Sequence, residues 1–423
     1  MKRIIGKINP EQKQVNIWGA GFSGLVMGHY LKEQGYKVTI YEKSNKVGGK
    51  IQTKKTNAGL AETGPNALFL NQDGLDLLRD LKLDIIPATK KLRRLLMING
   101  KPKSPLQLAL FSKIALNANK KPPLISDGLT VAEFFKPLLG QEKIKNYLSP
   151  ALGGLYATSA EKLHFKLLFP EVEKKAQFQS YWQFIKMMMR IQKNKPKLEI
   201  AGSVSFEGGM QTLINRLAQE LKPNIKLNYR EEFRIKTNTI VCTDAINASE
   251  LLKELRPQIS CELARINYRE LSSSTVFLKR EIKNLHKAFG VLIPLRENYH
   301  AIGVINNKAI FPSNNGNVSS YTLIGPKELS REEVIHDLLE LSSDLSVEDI
   351  EHIETTYWNQ ALPVYDLQLY LSVKKLHQLA QKEEHLAIFG NYVAGISLRE
   401  MISAAKEFSL HPLDYSEKIT VED

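Results

Sequence analysis

Residues 15–50 read VNIWGAGFSGLVMGHYLKEQGYKVTIYEKSNKVGGK, and this stretch decides the fold. VNIW (15–18) has the texture of a buried strand, the turn Gly19-Ala20-Gly21-Phe22-Ser23-Gly24 follows, and an apolar helix is expected over about 23–35. KVTIYE then reads as a second strand ending on Glu42. A strand, a glycine turn, a helix and a strand within about thirty residues form a parallel β-α-β unit that binds a dinucleotide. Each glycine has a steric task. Gly19 makes the tight turn, Gly21 lets a pyrophosphate reach the backbone, and Gly24 lets helix and strand approach closely. The diphosphate is expected on the unpaired N–H groups of the helix start, at Gly19 through Gly24, and the Glu42 carboxylate is placed for the ribose hydroxyls.

The chain has 423 residues with 43% hydrophobic and 24% charged side chains, so it is long enough for two or three domains and excludes collagen-like, disordered and coiled-coil classes. No apolar run is long enough to span a bilayer, and the N-terminus lacks the apolar core of a signal peptide. Two cysteines, Cys242 and Cys261, are too few for a disulfide framework or a metal knuckle, and the histidines are scattered singly, so no metal is expected. Net charge is +13. Between positions 85 and 126 there is no Asp or Glu, while nine Lys or Arg residues occur, among them Arg93, Arg94, Lys113, Lys120 and Lys121.

Along the chain the pattern reads as mostly helical from 75 to 200, then as strands at hairpin spacing from 273 to 357 with one helix, SREEVIHDLLEL, inserted. The chain closes on strand, glycine turn and helix (LAIFGNYVAG, then ISLREMISAAKEF), repeating the logic of its opening. The expected fold class is α/β, α+β overall. A Rossmann-like cofactor domain (12–85, 202–255 and 383–423) carries an inserted helical domain (86–201) and a β-rich substrate domain (256–382).

Past Glu42 comes Lys43-Ser44-Asn45-Lys46-Val47-Gly48-Gly49-Lys50, whose paired glycines let the chain pass beside a pyrophosphate. This segment resembles the second half of the FAD motif of the flavin amine oxidase superfamily. ETGPN (62–66), LGGLYA (152–157), FEGGMQTL (206–213), FGVLIP (289–294), WNQALPVY (358–365) and GNYVAGI (390–396) extend the resemblance to the protoporphyrinogen and coproporphyrinogen oxidases. The chain departs from that pattern at Ala404-Ala405, Thr158-Ser159 and 366–369.

The resemblance implies non-covalent FAD held by Gly19, Ala20, Gly21, Phe22, Ser23, Gly24, Glu42, Lys43, Gly48, Gly49 and Lys50, with Gly64, Pro65 and Asn66 near the flavin. It adds Gly390, Asn391, Gly395, Ile396, Ser397 and Leu398, the last turn being placed for the negative charge that develops on reduced flavin. No side chain is expected to act as catalyst, since the cofactor carries the chemistry. Arg94 matches an arginine that holds a substrate propionate, and the Gly154 carbonyl would reach a pyrrole N–H.

The implied activity is oxygen-linked oxidation of protoporphyrinogen in haem biosynthesis, with coproporphyrinogen as the second substrate. The rivals are another flavin amine oxidase-like enzyme and a non-catalytic FAD- or tetrapyrrole-binding relative. Nucleic acid is not expected as a partner. The apolar helix around 106–116, with its lysines, is a candidate for peripheral contact with an anionic membrane, the alternative being a helix buried in the substrate domain. The expected location is cytoplasmic, or peripheral on the inner face of the cell membrane.

Overall fold

A computed structural model describes residues 3–104, 107–172, 177–194, 196–200, 202–294, 297–315 and 318–413, with the side chains of 107–111 and 315 outside the description. A six-stranded sheet runs in the order Ile5–Lys7, Leu386–Ile388, Asn238–Val241, Gln14–Trp18, Lys37–Tyr41, Ile225–Lys226. Every pairing is parallel except that of the edge strand Ile5–Lys7. The sheet thus gathers strands from both ends of the chain and from its middle, and buries them on both faces.

The helix Phe22–Glu33 leaves the central strand through the glycine turn. It is buried from Gly24 through Leu31, so it lacks the polar stripe of a surface helix. It lies between the sheet and the helices Gln211–Leu221 and Leu398–Leu410. Gly28 makes this packing close: a methyl group there would meet Ile40 Cδ1 at 3.0 Å and Leu221 Cδ1 at 3.3 Å. Each buried Leu, Val or Ile in this layer contributes about 1.5–3 kcal/mol.

A seven-stranded sheet forms the other wall of the cleft, in the order Ile350–Pro363, Tyr268–Leu278, Ser319–Gly325, Gly303–Asn306, Ala288–Leu292, Arg93–Ile98, Lys101–Lys103. The last two strands correct the expectation of helix through this region. Residues 93–103 leave the helical segment: Arg93–Ile98 pairs in parallel with Ala288–Leu292, and Lys101–Lys103 folds back antiparallel on it. The physical reason is legible in Asn99-Gly100, which take φ of 53° and 69° and so make the tight hairpin turn that two left-handed residues favour. Glu297 accepts both backbone N–H groups of this turn, at 3.1 and 2.9 Å.

Helices Val131–Leu139, Ser149–Tyr156 and Tyr181–Lys193 make up much of the remaining helical layer. Its centre is aromatic, with Phe134 stacked on Phe165 at 4.1 Å between ring centroids. Val131–Leu139 opens with a reciprocal capping box between Thr130 and Glu133.

Candidate functional site

The two glycine motifs touch. Gly48 donates its N–H to Ala20 O at 2.8 Å, and Gly21 and Gly48 form a parallel bridge. A Cβ on Gly49 would lie 3.4 Å from Gly21 Cα, whereas one on Gly21 would meet nothing within 4 Å. The position beside Gly21 is therefore open cavity, and Gly49 closes in from the opposite side.

Glu42 anchors this cradle. One carboxylate oxygen accepts Ala20 N–H at 2.8 Å, and the other accepts the Ser44 N–H and hydroxyl, both at 2.9 Å. Lys43 Nζ donates to Asn247 Oδ1 at 2.6 Å on the cavity wall.

The cavity has a volume of about 1660 Å³. Gly19, Gly21, Phe22, Ser23, Glu42, Lys43, Gly48, Gly49 and Lys50 line one part of it. Gly64, Pro65, Asn66, Gly390, Asn391, Ile396, Ser397 and Leu398 line another. Gly154 and Leu155 project from the helical layer, while Leu271, Ser273, Ile305 and Ile324 face it from the seven-stranded sheet. Beyond Glu42 an aromatic wall forms from Trp18, Tyr41, Tyr229 and Phe233, with Trp18 stacked on Tyr41 at 4.9 Å. That wall has no counterpart among the sequence expectations, because its members come from three separate segments.

Four expected residues lie off the cavity surface. Ala20 is in the core and contributes its backbone, the N–H to Glu42 and the carbonyl to Gly48 N–H. Gly24 serves packing, since a Cβ there would come 1.9 Å from Gly19 O. Gly395, at φ 113°, makes room for Glu400, whose carboxylate would meet an added Cβ at 2.3 Å. Arg94 is exposed, with its guanidinium 5.4 Å from the centre of the Phe289 ring. Strand register nevertheless puts Arg94 on the sheet face shared by Gly290, Ile305 and Thr322, the face that Ile305 presents to the cavity.

The two layers are tied together at the cavity. Trp358 Nε1 donates to Thr63 O at 2.7 Å, and Lys50 Nζ donates to the carbonyls of Gln360 and Ala361. Burial lowers the Lys50 pKa, with Asp244 acting in the opposite sense.

The turn expected to meet developing negative charge already holds an acid. Ser397 and Glu400 form a capping box at the start of Leu398–Leu410, with Glu400 accepting Ser397 N–H at 3.2 Å. The Ser-x-x-Glu spacing was the available signal for it. A second arginine near the cavity was not foreseen. Arg399, in the same first turn, stacks over Phe69 at 4.7 Å, and Phe69 lines the cavity.

His164 Nε2 donates to Asp127 O at 2.8 Å, the ring stacks on Tyr370, and burial pushes its pKa down, as in a structural histidine. Burial pushes the Cys242 thiol up, which makes it an inert thiol.

The cradle fits a dinucleotide diphosphate: three glycines converge, one of them faces open space, and a fixed carboxylate stands beside them. Residues 22–232 match the family model of flavin-containing amine oxidoreductases. The chain belongs to that family. It is an FAD-dependent oxidoreductase. It is 27% identical to protoporphyrinogen oxidase 2, chloroplastic/mitochondrial, of Arabidopsis thaliana, over 93% of this chain and 92% of that one. It is 31% identical to coproporphyrinogen III oxidase of Staphylococcus aureus over 50% of this chain and 52% of that one. A crystal structure from Exiguobacterium sp. shares the fold, with a TM-score of 0.73 at 16% identity, over 94% of this chain and 98% of that one. The fold of these flavin enzymes thus extends well beyond the matched segment, through the seven-stranded sheet and the closing helix.

Proposed function

We propose that this enzyme oxidises a porphyrinogen, with protoporphyrinogen as the first substrate and coproporphyrinogen as the second. One observation carries the reading. The cavity runs without interruption from the glycine cradle to an apolar floor made by Leu271, Ile305, Ile324 and Leu155. A flat, largely apolar macrocycle suits that floor, and the two relatives named above carry porphyrinogen oxidase names over half or more of the chain.

FAD, when bound, supplies the two-electron acceptor. The chain's own residues bind, orient and exclude water. Gly19, Gly21, Gly48 and Gly49 would hold the diphosphate and Glu42 the ribose. Gly64, Pro65, Asn66, Gly390, Asn391 and Ile396–Leu398 would hold the ring system. Gly154 lies in the last turn of Ser149–Tyr156, just past Gly153, whose carbonyl takes the closing Ala157 N–H, and its own carbonyl would meet a pyrrole N–H. Arg94 and Arg399 are the cations near the substrate end that could meet carboxylates. Molecular oxygen is the proposed acceptor. Residues 12–85, 202–255 and 383–423 are read as the cofactor unit, with 86–201 and 256–382 supplying the substrate walls apart from the transfer of 93–103 to the sheet.

The basic helix supports a further part of the reading, contact with an anionic membrane surface. Gln107–Asn117 packs through Ile114 and leaves Leu116 79% exposed beside Lys113, Lys120 and Lys121; positions 105 and 106 of the basic window lie outside the described residues. No helix of the described residues is long and apolar enough to cross a membrane.

Anaerobic mixing of the holoenzyme with each porphyrinogen, followed by flavin absorbance, tests the substrate. Bleaching by protoporphyrinogen supports the first reading, and faster bleaching by coproporphyrinogen moves the assignment to the second. Bleaching by a primary amine alone would replace both.

A further inference from the structure

On the face of the seven-stranded sheet turned away from the cavity, His300 is brought against the adjacent pair His336 and Asp337. The histidines His300 and His336 flank Asp337, which is fully buried on the helix Arg331–Leu341. The ligand atoms of the three lie within 4.8 Å of one another. His300 Nδ1 is 2.9 Å and His336 Nδ1 is 3.3 Å from the same oxygen, Asp337 Oδ1. The other oxygen, Oδ2, accepts the backbone N–H groups of His300 and Ala301 at 3.0 and 2.7 Å, and Oδ1 also accepts His300 N–H at 3.1 Å.

The backbone bonds alone explain why a carboxylate is buried here: it caps the turn that leads into strand Gly303–Asn306. They do not explain two imidazoles on its remaining side. Both rings reach solvent, with side-chain exposures of 36% and 43%. Two nitrogens and an oxygen around a tetrahedral ion, each at about 2.0–2.1 Å, stand about 3.3 Å apart. The observed separations of 2.9 and 3.3 Å need only a small expansion to admit an ion.

Nearby charge favours a cation despite the basic chain. Glu333, one turn before His336, lies 3.8 Å from His300 Nε2 and is itself held by Lys327 at 2.8 Å.

We propose that His300, His336 and Asp337 bind one divalent first-row transition ion of the Zn2+ class, clipping the helix Arg331–Leu341 to the segment that feeds strand Gly303–Asn306. Imidazole and carboxylate suit such an ion, and the set leaves room for water to complete the shell. The ion has no part in the flavin chemistry.

The test uses the chelator-treated holoenzyme titrated with Co2+ and then competed with Zn2+. One equivalent should bind, with visible d–d bands that Zn2+ abolishes and a melting temperature raised by several degrees in excess metal. His336→Ala, at an exposed position, should weaken binding by about tenfold or more, and His300→Ala likewise, with flavin content unchanged. Lys327→Ala should tighten it by removing a competing cation. His286→Ala, which alters an exposed histidine paired with Glu281, should leave it unchanged. Failure of the wild type to bind saturably, or equal affinity in wild type, His300→Ala and His336→Ala, overturns the proposal.

Discussion

Gly24 lies so close over Gly19 that a methyl group on it would stand 1.9 Å from the Gly19 carbonyl oxygen, while the same group on Gly21 would meet nothing within 4 Å. Two glycines of one turn therefore serve different ends. Gly24 is required by the fold, and Gly21 by whatever occupies the space beside it.

Gly21→Val should consequently fold and lose its colour. Its φ of −70° is open to any residue, so no backbone strain is added. Gly24→Val should instead fail to accumulate, because backbone cannot yield to the added carbon. Flavin absorbance and circular dichroism of the two purified proteins separate the cases. Full FAD occupancy in Gly21→Val would show that the cofactor lies elsewhere.

Glu400 opposes what its helix offers. A helix start favours negative charge in front of it, but the Glu400 carboxylate already accepts Ser397 N–H there. Glu400→Gln keeps a side-chain oxygen for the cap and removes the charge. The reduction potential of the bound flavin should rise by some tens of millivolts, read by equilibrium dye titration. A potential unchanged or lowered by the substitution would place the reduced ring away from this turn.

Glu62 carries a pH dependence. Burial pushes its carboxyl up to about 7, against the opposing bonds from Met210 N–H and the Thr53 hydroxyl. The folded pKa is raised, so the native state holds the proton more tightly than the unfolded chain. Its contribution to stability is complete below the unfolded value near 4.5 and is lost as pH rises through about 7. Between pH 5 and 8 the wild type should lose ~2–3 kcal/mol more than Glu62→Gln does. Urea unfolding at the two pH values measures this, and parallel losses in both proteins would contradict it.

Arg94 shares the cavity-side face of the sheet yet stands exposed over Phe289. A substrate carboxylate held there is partly solvated, so its bond lies at the weak end of the charge-assisted range, about 1.5 kcal/mol or roughly tenfold in kcat/KM. Arg94→Ala should raise KM with FAD content unaltered, and Arg94→Lys should restore only part of the loss, since a point charge cannot reproduce the guanidinium fork. Complete restoration by lysine, in steady-state kinetics, would reduce Arg94 to surface charge.

The parallel unit at 14–42 was legible because its signals are local: short apolar strand runs, three glycines at fixed spacing and one acid. The hairpin at 93–103 was legible too, in Asn99-Gly100, but the helical pattern on either side outweighed that dipeptide. The capping box at Ser397 and Glu400 could likewise be read from spacing, though not its position at the cavity edge.

What the sequence determined by itself is the cradle. Gly19, Gly21, Gly24 and Glu42 lie within one short β-α-β unit, so chain geometry alone brings Glu42 back to the Ala20 N–H. Tertiary structure decided everything that depends on strand order. It built the aromatic wall of Trp18, Tyr41, Tyr229 and Phe233, and it moved 93–103 into the seven-stranded sheet. It also carried His300 to His336 and Asp337. The reason is physical. Local signals arise from sterics between near neighbours, whereas these groupings arise from burial, which is non-directional and names no partner until the layers have packed.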